Sequence, residues 1–396
     1  MTEQNTNQNT VDMHPNLENV YELSPMQQGM LFHTLYSPGS GIYFEQSIFT
    51  IDGDFDFSAF QNAWRHVIAR HSILRTGFVW EGVEKPLQIV YRNVHADIEK
   101  HDWREFDAAQ QQDRLEKFIH DDQVRGFDLA RPPLLRLALF RAAENTYKLI
   151  WSRHHLVLDR WSRAIVLREV SSFYESFRKG QDPDTEEPRP YGDYIGWLLK
   201  QDQAAAESFW RESLRGFEDP TEISLGQGSS ASQTYDSQSE RLSSEATSKL
   251  RKFSREQKLT MNTLVQGAWS LLLSRYSGEN DVLFGATVAG RPAELAGVER
   301  MVGLFINTLP VRVKTPSQTR LLPWLHNLQT QQADQRQYEY SSLIDIQSWS
   351  DVPRGVPLFE TILVFENLPV ETSSQETSSD LIIVQTAALG QKPVTH

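Results

Sequence analysis

The sequence predicts a mixed α/β (α+β) protein built as two lobes, each a mixed sheet flanked by helices, and three observations carry that prediction. Runs whose apolar residues alternate every second position trade places with runs whose apolar residues recur every three to four. A length of 396 residues exceeds what a single hydrophobic core usually serves. A polar, proline-rich stretch from Arg178 to Pro190, without periodicity, divides the chain near its middle.

In chain order, residues 1–19 are rich in Asn, Gln and Thr and read as a flexible leader. Residues 20–177 then form an N-terminal lobe. Ser24-Pro25 opens a helix with Met26, Met30, Leu31 and Leu35 on one side. Tyr43 to Ile51 alternates as a strand. Phe57 to His71 is a helix that turns Phe60, Trp64, Val67 and Ile68 inward, and Ile73–Trp80 and Leu87–Tyr91 follow as strands. A charged helix over Asp107–Asp122 and a strand over Leu134–Phe140 lead to the central motif. Residues 178–190 are the inter-lobe linker, and 191–396 the C-terminal lobe. That lobe opens with a helix around Asp193–Leu214 and a Ser/Gly/Gln-rich loop at Gly226–Ser239. A helix pair over Ser244–Arg275 carries Leu264, Ala268, Leu271 and Leu272 as its stripe, before strands at Asp281–Thr287 and Phe305–Val313.

Composition bounds the function. The hydrophobic fraction of 39%, with 20 Phe, 12 Tyr and 10 Trp, suits a well-packed soluble protein. No run is long enough to span a bilayer and Met1–Asn16 lacks the apolar core of a signal peptide, so a cytoplasmic location is expected. The chain has no cysteine, which excludes disulfides, thiolate zinc sites and a cysteine nucleophile. A formal net charge of −13 argues against nucleic acid or an anionic membrane as partner.

The chemistry concentrates in Trp151-Ser152-Arg153-His154-His155-Leu156-Val157-Leu158-Asp159-Arg160-Trp161-Ser162. Tyr147–Trp151 reads as an apolar strand, and Ser162–Lys179 as a helix with Ile165, Val166, Phe173 and Phe177 on one face. The histidines therefore sit where a strand ends, and Asp159 near a helix start, where a carboxylate accepts backbone N–H groups. A neutral imidazole is the usual general base near pH 7. The residues alone leave this reading open beside that of a satisfied structural pair. Adjacent strand residues point to opposite faces, so a shared metal ion is disfavoured and none is expected.

His154-His155-x-x-x-Asp159 resembles the His-His-x-x-x-Asp-Gly motif of the condensation domains of nonribosomal peptide synthetases, whose fold is similar to chloramphenicol acetyltransferase. Further segments resemble that family's motifs in its order: Leu23-Ser24-Pro25-Met26-Gln27-Gln28-Gly29-Met30-Leu31-Phe32-His33, Arg70-His71-Ser72-Ile73-Leu74-Arg75-Thr76-Gly77-Phe78 and Tyr191-Gly192-Asp193-Tyr194-Ile195-Gly196-Trp197. Val302-Gly303-Leu304-Phe305-Ile306-Asn307-Thr308-Leu309 and Pro357-Leu358-Phe359-Glu360-Thr361-Ile362-Leu363-Val364-Phe365-Glu366-Asn367 complete the series, from about Val20 to the last residue.

The resemblance implies two acetyltransferase-like lobes arranged as a V around a central tunnel. It also implies an acyltransferase in which the amine of an acceptor aminoacyl group attacks a donor aminoacyl or peptidyl thioester. Both groups ride on the phosphopantetheine arms of carrier proteins, so the chain itself is expected to bind no cofactor. Donor and acceptor peptidyl carrier proteins and an adjacent adenylation domain are the implied partners. His155 matches the catalytic histidine, and His154 is expected to be structural. Asp159 is expected to pair with Arg291 of Gly290-Arg291-Pro292 across the lobes. Asn307 and Ser162 are expected to face the tunnel, while Arg70, Arg75 and Trp197 are expected to be structural. Arg160 departs from the family's glycine, adding bulk and charge where only backbone is usual, and is expected either to contact the arm or gate the acceptor side, or to turn outward and pair with a surface acid. The pattern looks most like the group taking an L donor and an L acceptor. An epimerisation domain, which shares both histidines, and a non-catalytic carrier-docking module are the alternatives. Family members continue beyond His396, so the C-terminal lobe is expected to be truncated.

Overall fold

Alternation along the strands of one large sheet sets the architecture of the first lobe. The computed structural model describes residues 15–183, 185–223, 237–366, 375–378 and 381–389. The first-lobe elements are β1 (Leu17–Glu22), α1 (Pro25–Tyr36), β2 (Phe44–Gly53), α2 (Phe57–Arg70), β3 (Thr76–Val79), β4 (Leu87–Tyr91), β5 (Ile98–Asp102), α3 (Ala108–Arg125), β6 (Leu135–Arg141), β7 (Thr146–His154) and α4 (Arg160–Arg178). Strands β2, β7, β6 and β5 lie side by side, antiparallel except for the parallel pair β5–β6. Ile48, Ala138, Phe140 and Ile150 point to one face and pack with Trp103 and Leu115, the latter from α3. Phe49, Ile51, Leu137, Leu139, Leu149 and Trp151 point to the other, against α2 and α4. A smaller antiparallel sheet, β1-β4-β3, stands beside this layer.

The second lobe contains α5 (Tyr191–Leu198), α6 (Gln203–Leu214), α7 (Ser244–Glu256), α8 (Met261–Ser277), β8 (Asp281–Val288), β9 (Asn307–Lys314), α9 (Leu321–Gln335), α10 (Leu343–Trp349) and β10 (Ile362–Leu363). Its mixed sheet runs β10-β8-β9, with β10 parallel and β9 antiparallel to β8. Val282, Phe284, Ala286, Val311 and Val313 of that sheet pack on Leu273 of α8 and on Trp324, Leu325 and Leu328 of α9. The architecture is thus mixed α/β, with sheets flanked by helices. No helix among the described residues is long and apolar enough to cross a membrane.

Several expectations need correction. The supposed leader gives way to structure by Leu17, because β1 pairs with β4 and Glu18 reaches Arg75. Ser72–Arg75 is a 3-10 turn, so the strand expected from Ile73 starts at Thr76. The helix expected over Asp193–Leu214 is two helices, the second restarted by Asp202, whose side chain accepts the Ala205 N–H. Residues 381–389, assigned to the C-terminal lobe, form β12, which pairs antiparallel with β2 in the first lobe's sheet, with β11 (Gln375–Ser378) beyond it. Without β12, β2 would present an open row of backbone donors and acceptors. The Ser/Gly/Gln-rich loop and the chain end beyond Leu389 fall largely or wholly outside the described residues.

Trp64 of α2 is 1% exposed and meets Trp151 of β7 edge-to-face with ring centroids 5.1 Å apart. Trp64→Ala should destabilise the first lobe by about 3–5 kcal/mol, measured as a lowered urea midpoint in near-UV circular dichroism.

Candidate active site at the lobe junction

The site is built by the five residues, His155 to Asp159, that connect β7 to α4. Hydrogen bonding between β7 and β2 continues one residue past the last strand pair, Phe44 opposite His154, because the His155 N–H donates to the Tyr43 carbonyl at 2.8 Å. The chain then turns, with Val157 N–H and Leu158 N–H directed to the carbonyls of His154 and His155. Asp159 caps α4 by accepting the Ser162 N–H at 2.7 Å.

The two imidazoles are in opposite tautomers. His155 Nδ1 lies 2.7 Å from the Leu158 carbonyl oxygen, which can only accept, so Nδ1 carries the proton and Nε2 keeps its lone pair. The residue is half-buried. His154 Nδ1 instead accepts the Leu156 N–H at 3.2 Å, which puts the proton on Nε2. That ring is 3% exposed, packed near Phe127 and Tyr43, and its Nε2 has no hydrogen-bond partner among the described residues. Burial, helped by the neighbouring His155, pushes His154 from 6.5 down to about 3. A ring that stays neutral and enclosed cannot take up a proton during turnover.

A buried polar cluster joins the lobes directly beneath the turn. Asp159 is 1% exposed, and its Oδ2 accepts the Phe305 N–H at 3.0 Å while Oδ1 lies 3.6 Å from Arg291 Nη2. The Arg291 guanidinium donates to Ser162 Oγ at 2.9 Å and to the Met301 carbonyl at 2.9 Å, reaches the Val298 carbonyl, and lies 3.9 Å over the Phe305 ring. Ser162, expected to face the tunnel, is fully buried: its hydroxyl donates to the Gly303 carbonyl at 2.7 Å and accepts the Gly303 N–H at 3.0 Å. Its lone pairs and proton are used between lobes, not on a substrate. A side chain at Gly303 would put its Cβ 2.1 Å from Tyr191, whose hydroxyl donates to the Leu304 carbonyl at 2.6 Å.

The other candidates separate in the same way. Asn307 is buried and its amide donates to the Glu339 and Ser341 carbonyls, both at 2.8 Å, while its oxygen accepts the Thr308 N–H. It braces the second lobe instead of reaching a substrate. Arg75 binds Glu18 at 2.5 Å and the carbonyls of Ala69 and Tyr91, and Arg70 reaches Glu169 and the Glu186 carbonyl. Trp197 stacks on Tyr194 with centroids 6.0 Å apart. Arg160, at the first turn of α4, ion-pairs with Glu366, and its side chain is 53% exposed. Sequence reasoning missed Glu45, a carboxylate 8% exposed in β2 that pairs with Arg153 at 2.7 Å. Burial opposes its charge, yet His155, Arg153 and Arg163 hold its pKa below the usual range. A lone acid in an apolar strand carries no readable signal of such company. Among the described residues, no group of three or more His, Cys, Asp or Glu could hold a metal ion.

The two-lobed α/β fold thus carries, at the lobe junction, a half-buried histidine whose Nε2 keeps its lone pair. The condensation-domain family model matches residues 17–391, and the chain belongs to that family, the amide-forming domains of nonribosomal peptide synthetases. It is 48% identical over 362 residues to one of the linear gramicidin synthase subunits of Brevibacillus parabrevis, covering 91% of this chain and 7% of that protein. It is 45% identical over 387 residues to another of the same synthase's subunits, covering 96% of this chain and 5% of that one. The chain thus spans a small fraction of the curated relatives it matches. The starter condensation domain of rhizomide synthetase, solved as a mutant with C8-CoA and Leu-SNAC, superposes with a TM-score of 0.75 at 19% identity, covering 94% of this chain and 83% of that one. A four-domain nonribosomal peptide synthetase bound to AMP and glycine gives 0.73 at 18% identity, covering 97% of this chain and 30% of that one.

Two outcomes are expected. Asp159→Ala leaves the Arg291 charge buried without its partner and should cost about 3–5 kcal/mol, read as a lowered thermal unfolding midpoint. For His154, the unfolded chain binds a proton between pH 6.5 and about 3 that the folded chain refuses, so stability falls as pH falls through that window. The slope due to this group is about 1.4 kcal/mol per pH unit, and His154→Asn should flatten it in urea unfolding followed across pH.

Proposed function

We propose that this chain forms peptide bonds between two carrier-bound acyl groups, with His155 as the catalytic histidine. The observation that carries the reading is the His155 tautomer: Nδ1–H is tied to the Leu158 carbonyl, and the Nε2 lone pair remains for a substrate proton. The acceptor α-amine adds to the donor thioester carbonyl, the new C–N bond forms and the C–S bond breaks. The amine's proton passes to His155 Nε2, or is steered by it, and ends on the departing thiol. With both reactants tethered, positioning supplies much of the rate. Asp159 and Arg291 hold the lobes in register, and His154 keeps its neighbour in place.

On this reading the two lobes enclose a tunnel, as a V, that two phosphopantetheine arms enter from opposite sides. Donor and acceptor peptidyl carrier proteins bring the arms, an adenylation domain stands adjacent, and donor and acceptor are both L-configured. The chain works in the cytoplasm. Relatives at 45–48% identity that belong to a gramicidin synthase support the assignment. Arg160 gates the acceptor side through its pair with Glu366, on the stretch that follows β10.

With donor and acceptor carriers loaded with defined aminoacyl groups, the wild type should yield dipeptidyl carrier. His155→Ala should lower that rate by at least ~10²-fold; an unchanged rate, or epimerised donor without dipeptide, overturns the reading. Arg160→Gly, which releases Glu366, should change the rate of peptide formation with carrier-bound acceptor, and an unchanged rate removes the gate.

A further inference from the structure

Tyr43 combines three features that no role above explains. It has a backbone φ of +62°, a left-handed conformation that a Cβ-bearing residue adopts only when its surroundings impose it. That conformation, one residue before β2, aims its carbonyl at the His155 N–H, 2.8 Å away. Its ring then stands edge-on to the His155 imidazole, at 63° with centroids 6.5 Å apart, and tilted against His154 at 6.3 Å. On its far side, the Tyr43 hydroxyl shares a 3.1 Å hydrogen bond with Nδ1 of His33, and the two rings are nearly parallel. His33 lies in the last turn of α1, within the opening motif. Both Tyr43 and His33 are half-buried, as His155 is.

We propose that Tyr43 is a positioning residue for His155: its ring is the wall that keeps the imidazole plane aligned with the Leu158 carbonyl, and His33 holds that wall in place through the tyrosine hydroxyl. The main-chain bond alone anchors His155 at its Cα but leaves χ1 and χ2 free. The Nδ1–H···O bond restrains the plane at one edge, and the Tyr43 ring restrains it from the side. Loss of the ring lets the imidazole turn away from Leu158, and Nε2 no longer meets the acceptor amine in a fixed direction. The role rests on His155 being the reacting histidine, as proposed above.

The test uses the whole chain with loaded carriers, His155→Ala as reference, and selectively 15N-labelled histidine to read the His155 tautomer. Tyr43→Gly relieves the left-handed backbone while removing the ring, so it retains the fold. It should lower kcat about tenfold or more with KM little changed, and shift the His155 nitrogens from a single Nδ1–H form towards a mixture. Tyr43→Phe and His33→Ala should each lower kcat about threefold, and the double variant no further, because both remove one interaction. Full kcat and an unaltered His155 signature in Tyr43→Gly overturn the proposal, as do additive losses in the Phe/Ala cycle. If His155→Ala itself retains full activity, the catalytic assignment of His155 fails instead, and the nitrogen spectra still report whether Tyr43 sets the tautomer.

Discussion

The lobe junction depends on one buried cluster in which Asp159, Ser162 and Arg291 close on the Gly303–Phe305 backbone. Asp159 serves four partners at once: its own backbone N–H donates to the Gly303 carbonyl at 3.2 Å, and its carboxylate takes the Ser162 N–H, the Phe305 N–H and the Arg291 charge. Such a cluster adds little net stability over an apolar packing of the same volume, because both charges lose their hydration. What it does supply is register. Each polar atom is satisfied only when the start of α4 sits at one place against the second lobe, and a small slip would strand a buried carboxylate or guanidinium. Gly303 makes this closeness feasible, since any side chain there would overlap Tyr191.

That register reaches the candidate catalytic histidine through very little chain. The turn from His155 to Leu158 is held at one end by the β2–β7 ladder and at the other by the Asp159 cap and its cross-lobe bonds. With both ends fixed, the Leu158 carbonyl has one direction in which to point, and it sets the His155 tautomer. The neighbouring His154 is placed by the same geometry in the reverse state, accepting a backbone N–H and keeping its own proton inside an aromatic enclosure. Two chemically identical side chains, adjacent in sequence, thus acquire opposite tautomers from one turn.

The return of the chain to the first lobe adds a second connection. After β10 joins the second lobe's sheet, β12 pairs with β2, the strand that Tyr43 immediately precedes. The sheet that carries His154 and the strand that anchors His155 therefore share a neighbour contributed from beyond the second lobe. Arg160–Glu366 ties the outgoing segment to the start of α4.

Much of this was legible in the residues alone. The mixed two-lobed class, the amphipathic helices such as Phe57–Arg70 and the strand–turn–helix around His154–Asp159 follow from local periodicity and capping chemistry, which neighbouring residues fully specify. The ordered motifs extended that to a family and to a pairing of Asp159 with Arg291. The short or half-exposed strands β1, β5 and β10 carry too little alternation to be seen, and β12 shows no sign of its distant partner β2. Only the tertiary structure decided that Ser162 and Asn307 spend their hydrogen bonds within the protein, Ser162 on Gly303 and Arg291 and Asn307 on backbone, because a polar side chain does not announce whether its partner is protein or substrate. It also decided the opposite tautomers of His154 and His155 and the left-handed turn at Tyr43. Each depends on which carbonyl or ring stands within about 3–7 Å, and that is settled by residues far away in the chain.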